Sequence, residues 1–234
     1  MTISIIDRRT FHQEFKEIQK LDIGIPLSTI IYLYDEKSLL DSFKQHSKHI
    51  TDSIEHTLNE INLYVQCVLL QNKIKANAIT YVSPNLLYYD TDLYCRKSKT
   101  DKEKILRYSL TPQYSHEYQT LFIDPNYFLK HLKFPHIIKY ILVHEFSHHV
   151  QNLINQYTLT NSLIDQEYYK TIELKAEYIA GYLYKQLYGT LTTDSELTSI
   201  LKFIDYVDNM DERKQRSVEF KKGYTYFHIL PLFA

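Results

Sequence analysis

Glycine is scarce in this chain. Gly24, Gly181, Gly189 and Gly223 are the only four in 234 residues, and no two stand close together. A Walker loop or a G-x-G-x-x-G turn needs glycines clustered where backbone meets phosphate, so nucleotide-dependent classes built on those loops are excluded. Cysteine is scarcer still: Cys67 and Cys95 lie far apart and make no C-x-x-C pair, which fits reduced thiols in a cytosol-like compartment. Tryptophan is absent, and no apolar run approaches the roughly 18 residues that a membrane span requires. Charge appears at Asp7, Arg8 and Arg9, too early for the apolar region of a signal peptide. The expectation is a cytoplasmic protein without a membrane span, although export by a route that needs no cleaved signal leaves no mark in a sequence. An excess of one charge sign is missing too: 27 basic against 28 acidic residues give a net charge of -1, which excludes a basic nucleic-acid binder and an acidic tail.

Hydrophobic residues make up 44% and charged residues 24%, the balance of an ordinary globular protein long enough to bury its own core. The 22 tyrosines are expected mainly at half-buried packing positions. No repeat, low-complexity tract or Gly/Ser/Pro-rich linker divides the chain. A single domain over 1–234 is expected, with a helical region at 1–75 and a core at 76–234.

Along the chain, ISII at 3–6, a polar helical stretch from Thr10 to Lys20, a turn at Gly24-Ile25-Pro26 and the strand-like STIIYLY at 28–34 come first. From Lys37 to Lys73 there is neither proline nor glycine, and Leu39, Phe43, Ile50, Ile54, Leu58, Ile61, Val65 and Leu69 recur at three- and four-residue steps. That spacing predicts a long amphipathic helix in the N-terminal half. Strand candidates follow: AITYV at 78–82, LLYY before Asp90, ILRYSL at 105–110 and HEYQTLFID at 116–124, with the polar loop 95–104 joining two strands of a small, mostly antiparallel sheet. After Pro125 and Pro135 the periodicity is helical, so the fold class is α+β and mainly helical.

The informative segment is HIIKYILVHEFSHHVQNLI, from His136 to Ile154. Pro135 suits a first helical position, and Ile137, Ile138, Ile141, Leu142, Phe146 and Val150 supply apolar faces. Inside it stands H-E-x-x-H: His144, Glu145 and His148. Residues four apart on a helix share a face, so the two imidazoles can place nitrogens 2.0 to 2.1 Å, the usual length, from one Zn²⁺. Glu145 flanks that face, within reach of a metal-bound water without being a ligand, as a general base must be. His149 points away from the metal-facing line.

A chance H-E-x-x-H is expected about a few times in a hundred chains of this composition, so a second feature must arbitrate. The stretch from Asp165 to Tyr188, closed by Gly189, is a second strong helical pattern. Ile172, Ala176, Ile179, Leu183 and Leu187 mark its buried side, and Glu173 and Glu177 lie beside it at i, i+4. Two carboxylates on the edge of a core-facing stripe are costly unless something positive or protonated meets them, and a metal with a ligating histidine would meet both. The chain lacks the glycine and third histidine of H-E-x-x-H-x-x-G-x-x-H, which excludes a metzincin.

HEFSHHVQNL, then ELKAEYIAGY, then DERKQRSVEFKKGY resemble the bacterial neutral zinc metallopeptidases of the gluzincin type, whose pattern runs close to HEVGHHVQNL, ELQADCFAG and ER-x-x-x-x-F-x-x-GY. The resemblance covers roughly the last hundred residues, with a weaker echo in QTLFIDPNYF at 119–128. It implies a zincin-like, minigluzincin-type fold with the sheet beside the H-E-x-x-H helix. It also implies one catalytic Zn²⁺ held by His144, His148 and Glu173, Glu145 as base, and Glu177 as a partner of a ligating histidine. Phe220 and Gly223 match the tail, with Arg213 two residues farther from Phe220 than the arginine of the pattern. Glu177 stands where the family has aspartate, Ser147 where it has glycine, and Tyr178 where it has cysteine.

The expected function is therefore zinc-dependent hydrolysis of a peptide or protein substrate, with an edge strand offering a ledge for extended peptide. Tyr182, Tyr224 and His228 are the candidates for stabilising the oxyanion. Two alternatives remain at this level: a catalytically inactive, zinc-stabilised binding or scaffold protein, and a hydrogen-bonded polar cluster without metal.

Overall fold

A computed structural model describes residues 30–32, 48–71, 83–88, 112–116, 119–155, 166–207 and 210–225. The element order is β1 (Ile30–Tyr32), α1 (Lys48–Gln71), β2 (Asn85–Tyr88), β3 (Gln113–Ser115), β4 (Thr120–Ile123), α2 (Pro125–Leu129), α3 (Pro135–Asn155), α4 (Gln166–Tyr188), α5 (Asp194–Val207) and α6 (Met210–Thr225). Helix dominates. The expected elements at 3–6, 10–20 and 24–26, the strands at 78–82 and 105–110, the loop 95–104 and the first turns of the helix expected from Lys37 lie outside the described residues.

The chain divides into two compact units, residues 1–56 with 83–132 and residues 57–82 with 133–234. The first contains the sheet, in the order β1-β2-β4-β3. β1 pairs with β2 and β2 with β4 in parallel, while only β3 and β4 are antiparallel. The sheet is thus mixed and mainly parallel in its pairings, not mostly antiparallel. Parallel neighbours need a crossover between them, and α1 intervenes between β1 and β2. The stretch 116–124 is not one strand either: only Thr120–Ile123 within it forms β4, which follows Gln119, whose φ of 48° is in the left-handed region. All four residues of β4 are buried, as befits a strand flanked on both sides. Among the described strands β4 is consequently interior, and β1 and β3 are the outer ones. Leu86, Leu87, Tyr88, Leu121, Ile123 and Phe128 form the unit's core, with Ile50 and Ile54 buried on the first turns of α1.

The second unit is helical. α1 continues into it with Leu58, Ile61 and Val65 buried, as the four-residue periodicity requires. α3 begins at Pro135, whose missing N–H costs nothing at a helix start, and the Phe134 carbonyl accepts from Ile137 N at 2.9 Å. α5 starts with a reciprocal cap: Glu196 N donates to Thr193 Oγ1 at 3.3 Å, and Thr193 N donates to Glu196 Oε2 at 2.9 Å. α6 lies directly on α4. A Cβ on Gly181 would overlap the Phe220 carbonyl oxygen, and one on Gly223 would overlap that of Tyr178. Only glycine at both positions allows the two backbones to touch. This crossing brings the start of α6 within side-chain reach of the middle of α4.

Candidate metal centre

α3 and α4 present the predicted residues to one another. Both run to within a residue or so of their expected bounds, because apolar periodicity and the flanking Pro135 and Gly189 delimit them clearly. His144 and His148 project from α3 with ring centroids 5.0 Å apart and planes nearly perpendicular at 86°. Facing them from α4 is Glu173. Its Oε2 lies 3.4 Å from His144 Nε2, and its Oε1 lies 3.4 Å from His148 Nε2. One ligand atom from each of the three residues can be chosen so that all lie within 4.8 Å of one another. Donors bonded to a tetrahedral zinc at 2.0–2.1 Å stand about 3.3–3.4 Å apart; the two histidines meet different oxygens of Glu173 at that spacing, and no more than 4.8 Å separates any two of the three chosen ligand atoms. The histidines are almost fully buried, whereas the Glu173 side chain is 39% exposed and leaves the cluster open on one flank.

Behind this group sits Glu177, one turn along α4 and completely buried. Its Oε1 is 3.3 Å from His144 Nδ1, a nitrogen that makes no fully aligned hydrogen bond among the described residues. Tyr140, one turn before His144 on α3, donates its hydroxyl to Glu177 Oε1 at 2.8 Å and Oε2 at 3.1 Å. Arg216 of α6 donates Nε to Oε1 at 2.9 Å and also directs Nη2 there. The extra methylene of Glu over Asp is therefore accommodated by two further donors rather than by loss of the histidine contact.

Arg216 does more than support Glu177. Its Nη2 lies 3.5 Å from Glu173 Oε2 and 3.4 Å from His144 Nε2, so a fixed cation stands at the rim of the ligand group. The electrostatics are those of a tightly balanced cluster. Burial would push the His144 imidazolium down, but Glu177 and hydrogen bonding to Glu173 and Glu177 overcome it and raise the ring to about 10. Burial opposes ionisation of Glu173 and Glu177 as well, yet His144 and Arg216 hold both below the usual carboxylate value, with His148 adding to the effect at Glu173. Burial and the charge of Glu177 push the Tyr140 hydroxyl well above 10, so it remains a donor. Without metal, the Glu173 and Glu177 carboxylates are thus met by cationic neighbours, His144 and Arg216 among them.

Glu145 is half-buried beside His144 and close enough for its charge to act on Tyr140. His149 is fully buried against Phe146 at 5.5 Å, on the packing side of α3. Ser147 is buried and returns its hydroxyl to the Val143 carbonyl at 2.7 Å, so a residue larger than glycine fits there without an unsatisfied polar group. The oxyanion candidates have these surroundings. Tyr182 is buried against the Tyr64 hydroxyl, Tyr224 stacks on Phe220 beneath Lys185 Nζ, and His228 lies outside the described residues, as does the Arg213 side chain.

Sequence reasoning missed Tyr140, Gln151 and Arg216. Tyr140 had a signal, its i−4 spacing from His144. Arg216 had a weaker one, four residues before Phe220 in the matching tail. No described helix is long and apolar enough to cross a membrane. The comparisons add no relative: no protein-family model, no curated protein and no solved structure matches this chain.

Proposed function

We propose that this chain is a zinc-dependent peptidase of zincin-like type, in which His144, His148 and Glu173 hold the metal and Glu145 is the general base. The observation that supports it most directly is the convergence of two imidazoles from α3 and the Glu173 carboxylate from α4, with a ligand atom of each within 4.8 Å of the others. The donor set suits zinc chemically, with borderline imidazole nitrogens and one carboxylate, three protein ligands in all and one flank open. Bound there, zinc supplies a Lewis acid that polarises a carbonyl and acidifies a water.

The protein's own residues do the rest. With metal bound, His144 would offer Nε2 without its proton, and Glu177 would hold the proton on Nδ1 and keep the ring turned towards Glu173. Glu145 accepts the proton of the attacking water on its carboxylate and returns it to the leaving amine. Arg216 holds Glu177 ionised and adds positive charge beside the centre, where negative charge develops on the attacked carbonyl. The exposed side of Glu173 is the flank from which peptide arrives.

One observation favours a second reading, an ion-pair cluster without metal: Arg216 already stands opposite both carboxylates. Metal analysis of untagged protein separates the two. About one equivalent of zinc after reconstitution supports the metal centre, and less than half an equivalent counts against it. For catalysis, Glu145→Gln is expected to abolish hydrolysis of a peptide library while leaving zinc content unchanged. A library left intact by both native protein and variant supports a zinc-stabilised binding role instead.

A further inference from the structure

The two histidines of the cluster are supported differently. His144 has a carboxylate behind it, whereas His148 has a neutral amide, that of Gln151. Gln151 lies three residues along α3 and is buried, at 4% exposure. One end of its carboxamide is 2.9 Å from His148 Nδ1 and the other is 2.7 Å from the backbone carbonyl of Ile172, the residue immediately before Glu173.

Donor and acceptor chemistry leaves one arrangement. A backbone carbonyl only accepts, so the end facing Ile172 must be the amide nitrogen. The end facing His148 is then the oxygen, which also only accepts. His148 must therefore carry a hydrogen on Nδ1, so that when the ring is neutral its lone pair is on Nε2, the atom 3.4 Å from Glu173 Oε1. A carbonyl on α4 thus sets, through a single side chain on α3, the tautomer of a ring on α3. The same amide ties the second histidine to the backbone that carries the third ligand.

Resting on the metal-centre reading above, we propose that Gln151 is the positioning residue for His148: it presents Nε2 to the metal and fixes its distance from Glu173. Only a side chain with both an acceptor and a donor, at this length, does both. Leucine removes both functions. Glutamate keeps the acceptor for Nδ1–H and loses the donor to Ile172.

The test is zinc affinity of the full chain, measured by competition with a chromogenic chelator, for native protein, Gln151→Leu and Gln151→Glu. Loss of such a supporting contact weakens metal binding about 10- to 100-fold, which is the expectation for Gln151→Leu. Gln151→Glu is expected to lose less affinity than Gln151→Leu, because its carboxylate still accepts from Nδ1–H although it no longer donates to the Ile172 carbonyl. Equal losses in the two variants, or no loss in Gln151→Leu, overturn the proposal. In zinc-loaded native protein, ¹⁵N shifts of the His148 ring should show ligation through Nε2 with hydrogen on Nδ1. Ligation through Nδ1 overturns it without recourse to any variant. If native protein takes up no zinc, the metal-centre reading itself falls and this inference with it. If native protein binds zinc and Gln151→Leu binds it equally well, this inference alone fails.

Discussion

Glu177 carries a large energetic risk, because an ionised carboxylate with no solvent exposure is tolerable only while its partners stay in place. Tyr140 and Arg216 both meet it, and of the two only Arg216 contributes charge. Arg216→Met is accordingly expected to destabilise the metal-free protein by about 3 kcal/mol, the lower end for breaking a buried pair, since the His144 imidazolium still compensates in part. The double variant Arg216→Met/Glu177→Gln should recover part of that loss, as it removes the uncompensated charge. Chemical denaturation measures both. A single variant within about 0.5 kcal/mol of native, the range for surface positions, would mean that Arg216 is not tied to Glu177.

Among the elements, the helices that carry the site were the most legible in the sequence. Pro135, Gly189 and a regular apolar stripe define α3 and α4, and the i, i+4 spacings of His144 with His148 and of Glu173 with Glu177 place the pairs on common faces. What crosses between helices was not legible. Arg216 lies on a helix whose described part buries little besides Phe220 and Gly223, so no periodicity distinguishes it from the other cations around it. Its place depends on the close approach of α6 to α4 at two glycines, which only the backbone coordinates show. Strand pairing was hidden for a similar reason: residue alternation says which face is buried, not whether a neighbour runs parallel. The glycine crossing is testable. Alanine is favoured over glycine in a helix by about 1 kcal/mol, so Gly223→Ala would stabilise if there were room. Overlap with the Tyr178 carbonyl should win, leaving a net destabilisation of at least about 1 kcal/mol by the usual cost of overpacking. A more stable variant would contradict the crossing.

For the whole molecule, the cluster makes stability depend on pH in a direction that the shifts decide. His144 is raised from 6.5 to about 10, so its contribution is complete below pH 6.5 and is lost as pH climbs towards 10. Glu173 and Glu177 are lowered from 4.5, so theirs is complete above that value and is lost in acid as pH falls towards their folded values. Chelator-treated protein should melt highest near pH 5 to 6. Its stability should then fall by up to about 1.4 kcal/mol per pH unit on the alkaline side. In zinc-loaded protein that alkaline limb should disappear, because the Nε2 proton has already left. His144→Gln should flatten it in the metal-free protein too. An alkaline limb that persists in this variant would assign the titration to another group.

The central claim is that two imidazoles on α3 and a carboxylate on α4 bind one zinc ion. Zinc stoichiometry of untagged protein, determined by elemental analysis alongside Glu173→Ala, tests it most directly. The account predicts one ion per native chain and a large loss of affinity in the variant. Native protein that stays empty after reconstitution, or a variant that holds zinc as tightly as native, would contradict it.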